Sequence, residues 1–130
     1  MTCLVEGSNR NFLRDDMLTD NVFKKIVDGQ IPTTLLHEDD LVLAFKDIHP
    51  QAKIHVLIIP KKEIRTHADL TAEDLPIIAR MHQVAQKLAN DFGLKSGYRL
   101  VINCDSGGGQ TVPHLHMHLL GGRSFGWPPG

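Results

Sequence analysis

The sequence predicts an α+β domain in which one antiparallel sheet of about five strands packs against a short helix and a long helix. Three observations lead to this fold class. Residues near the C-terminus alternate between histidine and apolar side chains, residues 75–92 repeat apolar side chains at helical spacing, and short apolar runs are separated by turn residues. With 130 residues, the chain is long enough to bury one core without disulfides or metals.

The N-terminal residues differ from the rest of the chain. Residues 1–19 carry mixed charge and no sustained periodicity, so we expect a disordered extension rather than a signal peptide, with Met17 as an alternative start. The folded domain is predicted over residues 20–130. Cys3 and Cys104 lie in unlike settings without metal-ligand spacing, which predicts reduced thiols in a cytoplasmic protein.

Charge and hydropathy exclude two classes of partner. The formal net charge is -1, which argues against a nucleic-acid polymer because phosphate backbones are bound by clustered Lys and Arg. No apolar run approaches the length of a membrane span, so no membrane association is predicted.

A short helix and several strands are predicted before the long helix. Asp20 is the expected cap of a helix that continues to Val27 or Asp28, with Gly29 beyond its end. A hairpin turn is expected at Asp39 and Asp40. Strands are predicted over runs rich in apolar residues: 33–38, 41–46, 53–60 and 98–104.

The long helix is predicted to start between Thr71 and Asp74 and to end at Gly93. Pro76 favours the later start, because proline is tolerated in the first turn of a helix. Its expected buried stripe consists of Leu75, Ile78, Met81, Ala85, Leu88 and Phe92. This stripe should cover the sheet face that carries Leu115 and Met117.

The last predicted strand carries a row of histidines. From Pro113 onward the chain alternates strictly, with His114, His116 and His118 at every second position. The period of two places the imidazoles on one face and the apolar residues in the core. Such a row suits a metal ion, a nucleophile for phosphate chemistry, or a solvated polar edge.

The loop before this row favours phosphate chemistry. Gly107 to Gly109, Gln110 and Thr111 offer backbone N–H groups, an amide and a hydroxyl, which suit an oxyanion. A metal site would favour a nearby carboxylate, and residues 107–130 contain neither Asp nor Glu. The glycines alone would equally fit a hairpin connection.

These motifs resemble those of the histidine triad (HIT) superfamily. The resemblance is carried by Gly-Gly-Gln-Thr-Val-Pro followed by His-Leu-His-Met-His-Leu-Leu at residues 108–120, and it extends over residues 20–130. Gly-Gly-Arg at residues 121–123 and the terminal Trp-Pro-Pro-Gly resemble the nucleotide-binding branch, whose members hydrolyse purine nucleoside phosphoramidates. The resemblance implies a HIT-like fold, a homodimer with the sheet continued across the two-fold axis, and no cofactor or metal. It also implies a purine nucleoside monophosphate or phosphoramidate as ligand.

The resemblance further implies catalytic roles. His116 is expected to attack phosphorus and form a nucleotidyl-histidine intermediate, which water then hydrolyses. His118 and Thr111, with the backbones of Gly109 and Gln110, are expected to bind the non-bridging oxygens, and either His118 or Thr111 assists the leaving amine. The supporting positions are His114 and His55. From the residues alone, His55 reads equally as a structural histidine in an apolar strand.

The nucleotide-binding positions are also implied by the resemblance. The purine is expected among apolar residues that otherwise read as ordinary core: Val22, Phe23, Ile26, Ile31 and Phe45. Asp47 is expected at the ribose hydroxyls, Asn103 at the phosphate, and Trp127 at the partner's site. Without the resemblance these residues read as a loop carboxylate, a turn former and a frayed end.

Two rival functions stay open. A dinucleoside polyphosphate hydrolase or nucleotidyltransferase of the same superfamily would use the same histidines. Outside this class, the row suits a His-x-His-x-His metal protein, or the domain serves as a regulatory protein-binding module.

Overall fold

A five-stranded antiparallel sheet with the strand order β1-β2-β3-β5-β4 forms the centre of the fold, which confirms the predicted class. The structure is a computed structural model that describes residues 20–130; the predicted extension with Cys3 and Met17 lies outside the described residues. The strands are His37–Glu38 (β1), Val42–Lys46 (β2), Ile54–Pro60 (β3), Tyr98–Val101 (β4) and Met117–Gly121 (β5). The first and fourth strands are shorter than predicted.

The short helix α1 spans Val22–Val27, close to its predicted bounds. Its N-cap is Asn21, whose side-chain oxygen accepts the N–H of Lys24 at 2.9 Å, so the prediction of Asp20 as the cap is wrong by one residue. Asp20 instead forms a surface ion pair with Lys25 at 3.0 Å. Gly29 follows the helix with a φ of 77°, the left-handed conformation that glycine adopts without strain.

The long helix α2 spans Leu75–Asp91 after a 3₁₀ turn over Ala72–Asp74, which confirms the later of the predicted starts. The prediction that Leu75 is buried is wrong: it is 60% exposed, because it lies off the face defined by the deeper residues of the helix. That face carries Ile77, Met81, Val84, Ala85, Leu88 and Ala89. Within residues 20–130, no helix is long and apolar enough to cross a bilayer.

The sheet buries two different faces. Helix α2 covers the face with Val56, Ile58, Leu115 and Met117, as predicted. Helix α1 packs on the opposite face, where Phe23 joins a second buried cluster with Leu43, Phe45, Leu57 and Ile59. Since side chains alternate along a strand, His55 and His118 lie on the α1 face with Leu57. The histidines and the α1 cluster therefore share one side of the sheet.

The segment before β5 departs from the predicted strand. The strand predicted from Pro113 begins only at Met117, because the preceding N–H groups bond elsewhere. The N–H of His114 donates to the carbonyl of Val112 at 2.8 Å, and that of Leu115 donates to the carbonyl of Ile64 at 2.7 Å. Pro113 has no N–H to offer to a ladder. The predicted alternation of faces nevertheless persists through this extended segment.

Candidate active site

His116 is the central imidazole of the site, and its hydrogen bond assigns its tautomer. The side chain is buried, and Nδ1 lies 2.7 Å from the carbonyl oxygen of His114. Because a carbonyl oxygen only accepts, Nδ1 carries the proton and Nε2 keeps a lone pair. Burial lowers the pKa of His116 below its usual value of 6.5, so the ring is neutral at pH 7. His116 therefore has the protonation state of a nucleophile.

His118 receives a hydrogen bond from His55, and the main chain of Gln51 sets its direction. Nδ1 of His55 accepts the Gln51 N–H at 3.0 Å, so the proton of this ring resides on Nε2. That proton is donated to Nδ1 of His118 at 2.9 Å. His118 is consequently the tautomer that carries its proton on Nε2. Burial, followed by the charges of His116 and His55, lowers the pKa of His118 to about 4.

His114 is fully buried and is held at both ring nitrogens. Nε2 donates to the carbonyl of Pro60 at 2.8 Å, and Nδ1 accepts from the side-chain amide of Asn21 at 3.0 Å. Burial lowers the pKa of His114 as well. With no exposed surface, this ring does not reach a ligand, and it acts on the site through its carbonyl oxygen.

Asp47 lies close to the rings of His55 and His118. Its Oδ2 is 3.4 Å from Nε2 of His55, and its Oδ1 accepts the N–H of His49 at 2.8 Å. Among residues 20–130, the only three-residue group with metal-ligand atoms in reach of one another is Asp47, His55 and His118. In this group, however, the facing nitrogens of His55 and His118 share a proton, which a cation would have to displace. His114 and His116 do not join the group, so the three triad histidines do not form one metal site.

A cavity of about 560 Å³ opens beside α1, on the side of the sheet that carries the histidines, although no histidine is among its lining residues. Its lining includes all five apolar residues predicted to hold the purine: Val22, Phe23, Ile26, Ile31 and Phe45. The ring of Phe23 stands edge-on to Phe45 and to His116, with centroid distances of 5.7 and 5.0 Å. Phe23 therefore contacts both the cavity and the His116 ring. Ile48, directly after Asp47, also lines it and was missed, although an apolar residue in a polar loop was a usable signal.

The glycine loop is held by its own hydrogen bonds. The N–H groups of Gly109 and Gln110 donate to the carbonyls of Ser106 and Asp105 at 3.1 and 3.0 Å. The buried side chain of Gln110 bonds the carbonyls of Arg65 and Val112 at 2.8 and 2.9 Å and the N–H of Asp105 at 2.7 Å. Gly109 and Gln110 therefore shape the loop instead of offering the free donors that were expected.

Two other polar groups of this region are available to a ligand. The amide of Asn103 lies against Gly109, where an added Cβ would be 3.8 Å from Nδ2, an ordinary van der Waals distance. Thr111 is exposed next to the histidine segment. Across residues 20–130, the hydroxyl of Thr111 and the amide of Asn103 have no hydrogen-bond partner.

The C-terminal segment is fixed up to the residue before Trp127. Arg99 donates to the carbonyl of Gly126 at 2.7 Å, and Arg99 and Arg123 stack on the Phe125 ring at 5.0 and 4.3 Å. Trp127 is 86% exposed and does not line the cavity of its own chain. Its role at a partner's site stays a prediction.

An antiparallel sheet with three neighbouring histidines on one side, and a neutral central imidazole in contact with a residue that lines an apolar cavity, defines a histidine triad protein. The chain belongs to the HIT domain family, whose family model matches residues 28–125.

Relatives of known name are similar over most of the chain. The purine nucleoside phosphoramidase of Escherichia coli strain K12 is 48% identical over 111 residues, 85% of this chain and 93% of that protein. The crystal structure of a HIT family hydrolase from Legionella pneumophila Philadelphia 1 superposes with a TM-score of 0.83 at 53% identity, covering 85% of this chain and all of that one. The histidine triad nucleotide-binding protein from Candida albicans gives a TM-score of 0.72 at 30% identity, covering 85% of each chain.

Proposed function

We propose that the protein is a hydrolase that cleaves the P–N bond of purine nucleoside 5′-phosphoramidates through a nucleotidyl-His116 intermediate. The observation that carries this proposal is the bond from Nδ1–H of His116 to the carbonyl of His114, which leaves a neutral Nε2 lone pair on a ring that contacts Phe23, a residue of the cavity lining. The name of the relative from Escherichia coli, at 48% identity, supports the same reaction. No metal or cofactor is part of the proposal.

The ligand we propose is a purine nucleoside monophosphate or phosphoramidate. Its base fills the apolar cavity lined by Phe23 and Phe45, where flat aromatic and branched side chains match a flat purine. Asp47, at the end of β2, accepts hydrogen bonds from the ribose hydroxyls. In the proposed arrangement the phosphorus lies outside the cavity lining, toward His116, which contacts Phe23.

The reaction we propose has two displacements. Nε2 of His116 attacks phosphorus as the P–N bond breaks, and the leaving amine takes a proton from Nε2–H of His118 or from the Thr111 hydroxyl. The positive charge that His116 gains is stabilised by its bond to the His114 carbonyl. Water then attacks phosphorus and gives a proton back to the group that protonated the amine, the P–His116 bond breaks with its electron pair returning to Nε2, and the nucleoside monophosphate is released. Nε2–H of His118 and the Asn103 amide stabilise charge on the non-bridging oxygens.

We also propose that two copies associate through β4. In the described part of the chain this strand pairs only with β5 and lies at the edge of the sheet, with Tyr98 41% exposed. An unpaired edge of backbone N–H and C=O groups is a template for another strand. Joined in this way, each tail would bring Trp127 to the partner's cavity. Sedimentation analysis, with Trp127→Ala assayed for a raised KM, tests both parts.

The central experiment compares hydrolysis of adenosine 5′-phosphoramidate by the native protein and by His116→Ala. We expect the variant to lose nearly all turnover and the native protein to yield a labelled His116 peptide after rapid quenching. His82→Ala is a matched control, because this histidine is exposed on α2, which packs on the other face of the sheet. Near-native turnover by His116→Ala would refute the proposal.

Two further measurements distinguish the proposed phosphoramidase from the two alternative functions. Faster turnover of a diadenosine polyphosphate than of the phosphoramidate would favour the dinucleoside polyphosphate hydrolase. Loss of activity after exhaustive chelation, with stoichiometric metal by elemental analysis, would favour the metal protein.

A further inference from the structure

Asn21 uses both N–H groups and the oxygen of its side-chain amide, in three different directions. Oδ1 accepts the Lys24 N–H at 2.9 Å and caps α1. Nδ2 donates one hydrogen to Oε2 of Glu63 at 3.1 Å and the other to Nδ1 of His114 at 3.0 Å. A helix cap, an exposed carboxylate and a buried triad ring therefore meet at one residue.

The contacts of Asn21 are complementary only to an amide. The cap needs an acceptor, whereas the lone pair on Nδ1 of His114 needs a donor, since Nε2 of that ring already donates to the Pro60 carbonyl. Without Asn21, a fully buried imidazole nitrogen would be left without a partner. Glu63 occupies the second hydrogen of the amide and so selects its orientation.

These contacts lead in two directions to the reacting atom. The ring of His114 is fixed by Asn21, and the carbonyl of the same residue holds Nδ1 of His116 at 2.7 Å. Along α1, the residue two positions after Asn21 is Phe23, which lines the cavity and stands edge-on to His116. The cap of the base-binding helix is thus bonded to the residue that orients the nucleophile.

We propose that Asn21 is a positioning residue that couples occupation of the base cavity to the orientation of His116. This inference rests on the proposed function and deepens it. When a purine packs against Phe23, α1 is held in place, and Asn21 holds the His114 ring and carbonyl in register with it. Part of the binding energy of the purine is thereby used to orient His116, which raises kcat. Binding energy from parts of a substrate far from the reacting atoms commonly acts in this way.

Two substitutions test the coupling. Asn21→Ser keeps a capping oxygen but is too short to donate to His114. Asn21→Asp keeps the shape and the cap but places a carboxylate at the lone pair of Nδ1, which forces a second proton onto His114. The charged or titratable groups that act on this ring are Glu63, His116 and Lys24, and all remain in the variant. Asp20→Asn is the matched control, because among residues 20–130 the side chain of Asp20 pairs only with Lys25, at the surface.

We expect both variants to lower kcat for adenosine 5′-phosphoramidate by more than about 10-fold while KM changes by less than about 3-fold. A phosphoramidate without a base, such as ribose 5-phosphoramidate, should lose far less, because it does not use α1. In ¹⁵N spectra of the imidazoles at pH 7, His114 should carry one proton, on Nε2, in the native protein and two in Asn21→Asp. A merely structural role would lower the folded fraction without changing this substrate difference.

Three results would overturn the inference: native kcat in both variants, equal losses for the two substrates, or native ¹⁵N shifts of His114 in Asn21→Asp. Thermal unfolding shows that each variant is folded under assay conditions, and Asn21→Ser keeps the test available if Asn21→Asp unfolds. A native protein without phosphoramidase activity would refute the proposed function instead, and the ¹⁵N comparison would still decide whether Asn21 sets the protonation of His114.

Discussion

The rings of His55 and His118 are joined by one hydrogen bond of 2.9 Å across two neighbouring strands. The Gln51 N–H occupies Nδ1 of His55, so His55 donates and His118 accepts. A main-chain group thereby decides which nitrogen of His118 carries a proton. The tautomer of His118 is a property of the fold and not of a neighbouring charge.

Substitution of His55 should slow the chemical step. In His55→Ala, Nδ1 of His118 loses its donor, so the tautomer with a proton on Nε2 is no longer favoured. We expect kcat to fall about 10- to 100-fold with KM nearly unchanged, as is typical when a group that orients a catalytic residue is removed. Steady-state kinetics on adenosine 5′-phosphoramidate measures both constants. His67→Ala, at an exposed position, is the control; an unchanged kcat for His55→Ala would contradict the role.

Acidification should reduce activity only well below the usual pKa of histidine. Burial lowers the pKa of His116 and, together with neighbouring imidazoles, that of His118 to about 4. Both rings stay neutral on acidification through pH 6.5, so kcat/KM should be flat there and fall only at lower pH, when His116 takes up a proton. A pH–rate profile from pH 4 to pH 8 measures this decrease in kcat/KM. A midpoint at or above 6.5 would be inconsistent with the buried neutral site.

The same shifts should make the fold less stable in acid. In the unfolded chain these histidines bind protons near pH 6.5, whereas in the fold their pKa values are lower. Below pH 6.5 the unfolded state therefore binds more protons, and the free energy of unfolding falls until the pH drops below the folded pKa, about 4 for His118. Urea unfolding at pH 7.5, 6 and 4.5 measures the decrease. His118→Gln should reduce the slope, and an equal slope would contradict this contribution.

Asp47 should affect two properties: the preference for ribose over 2′-deoxyribose, and the pH below which kcat/KM falls. Its charge raises the pKa values of His55, His116 and His118 against the larger effect of burial. Asp47→Asn should lower the pH below which kcat/KM falls and reduce kcat/KM about 5- to 50-fold for the ribonucleoside substrate, with little change for its 2′-deoxy analogue. Asp40→Asn, at an exposed position, is the control. Equal losses for both sugars would argue against contact with the ribose.

Truncation of a buried side chain of α2 should lower the stability of the fold without changing the rate of hydrolysis. Met81 is completely buried against the sheet face opposite the histidines, so Met81→Ala should lower the free energy of unfolding by about 2–5 kcal/mol. Below its unfolding temperature the variant should retain native kcat. Leu75→Ala, on the same helix but exposed, should change the stability by less than about 0.5 kcal/mol. Denaturant unfolding and the phosphoramidate assay together check both statements.

The sequence predicted the sheet and both helices because these depend on periodicity, whereas the residues of the apolar cavity were predicted only through the resemblance to the histidine triad superfamily. It did not predict which of two adjacent capping residues is used, since Asp20 and Asn21 are equally good caps in isolation. It also placed the start of β5 at Pro113, because alternation persists in an extended segment whose N–H groups bond elsewhere. The predicted buried stripe of α2 wrongly included Leu75, because an apolar residue in the first turn of a helix need not face the sheet.

The polar contacts of the site were the least predictable from the sequence. Asn21 and His114 are 93 residues apart, and the main-chain groups of Gln51 and Pro60 have no signature in the residue type. Gln110 read as a phosphate donor because the pattern does not show that its side chain turns inward to bond Arg65. Such pairings depend on tertiary packing, which one sequence does not reveal.

The uncharged state of the buried imidazoles determines what the pocket rejects. A pocket that offers oriented N–H donors and one lone pair, but no positively charged imidazole, should bind free inorganic phosphate or sulfate only weakly. Occupancy then depends on the attached nucleoside, so abundant cellular anions should be poor competitors.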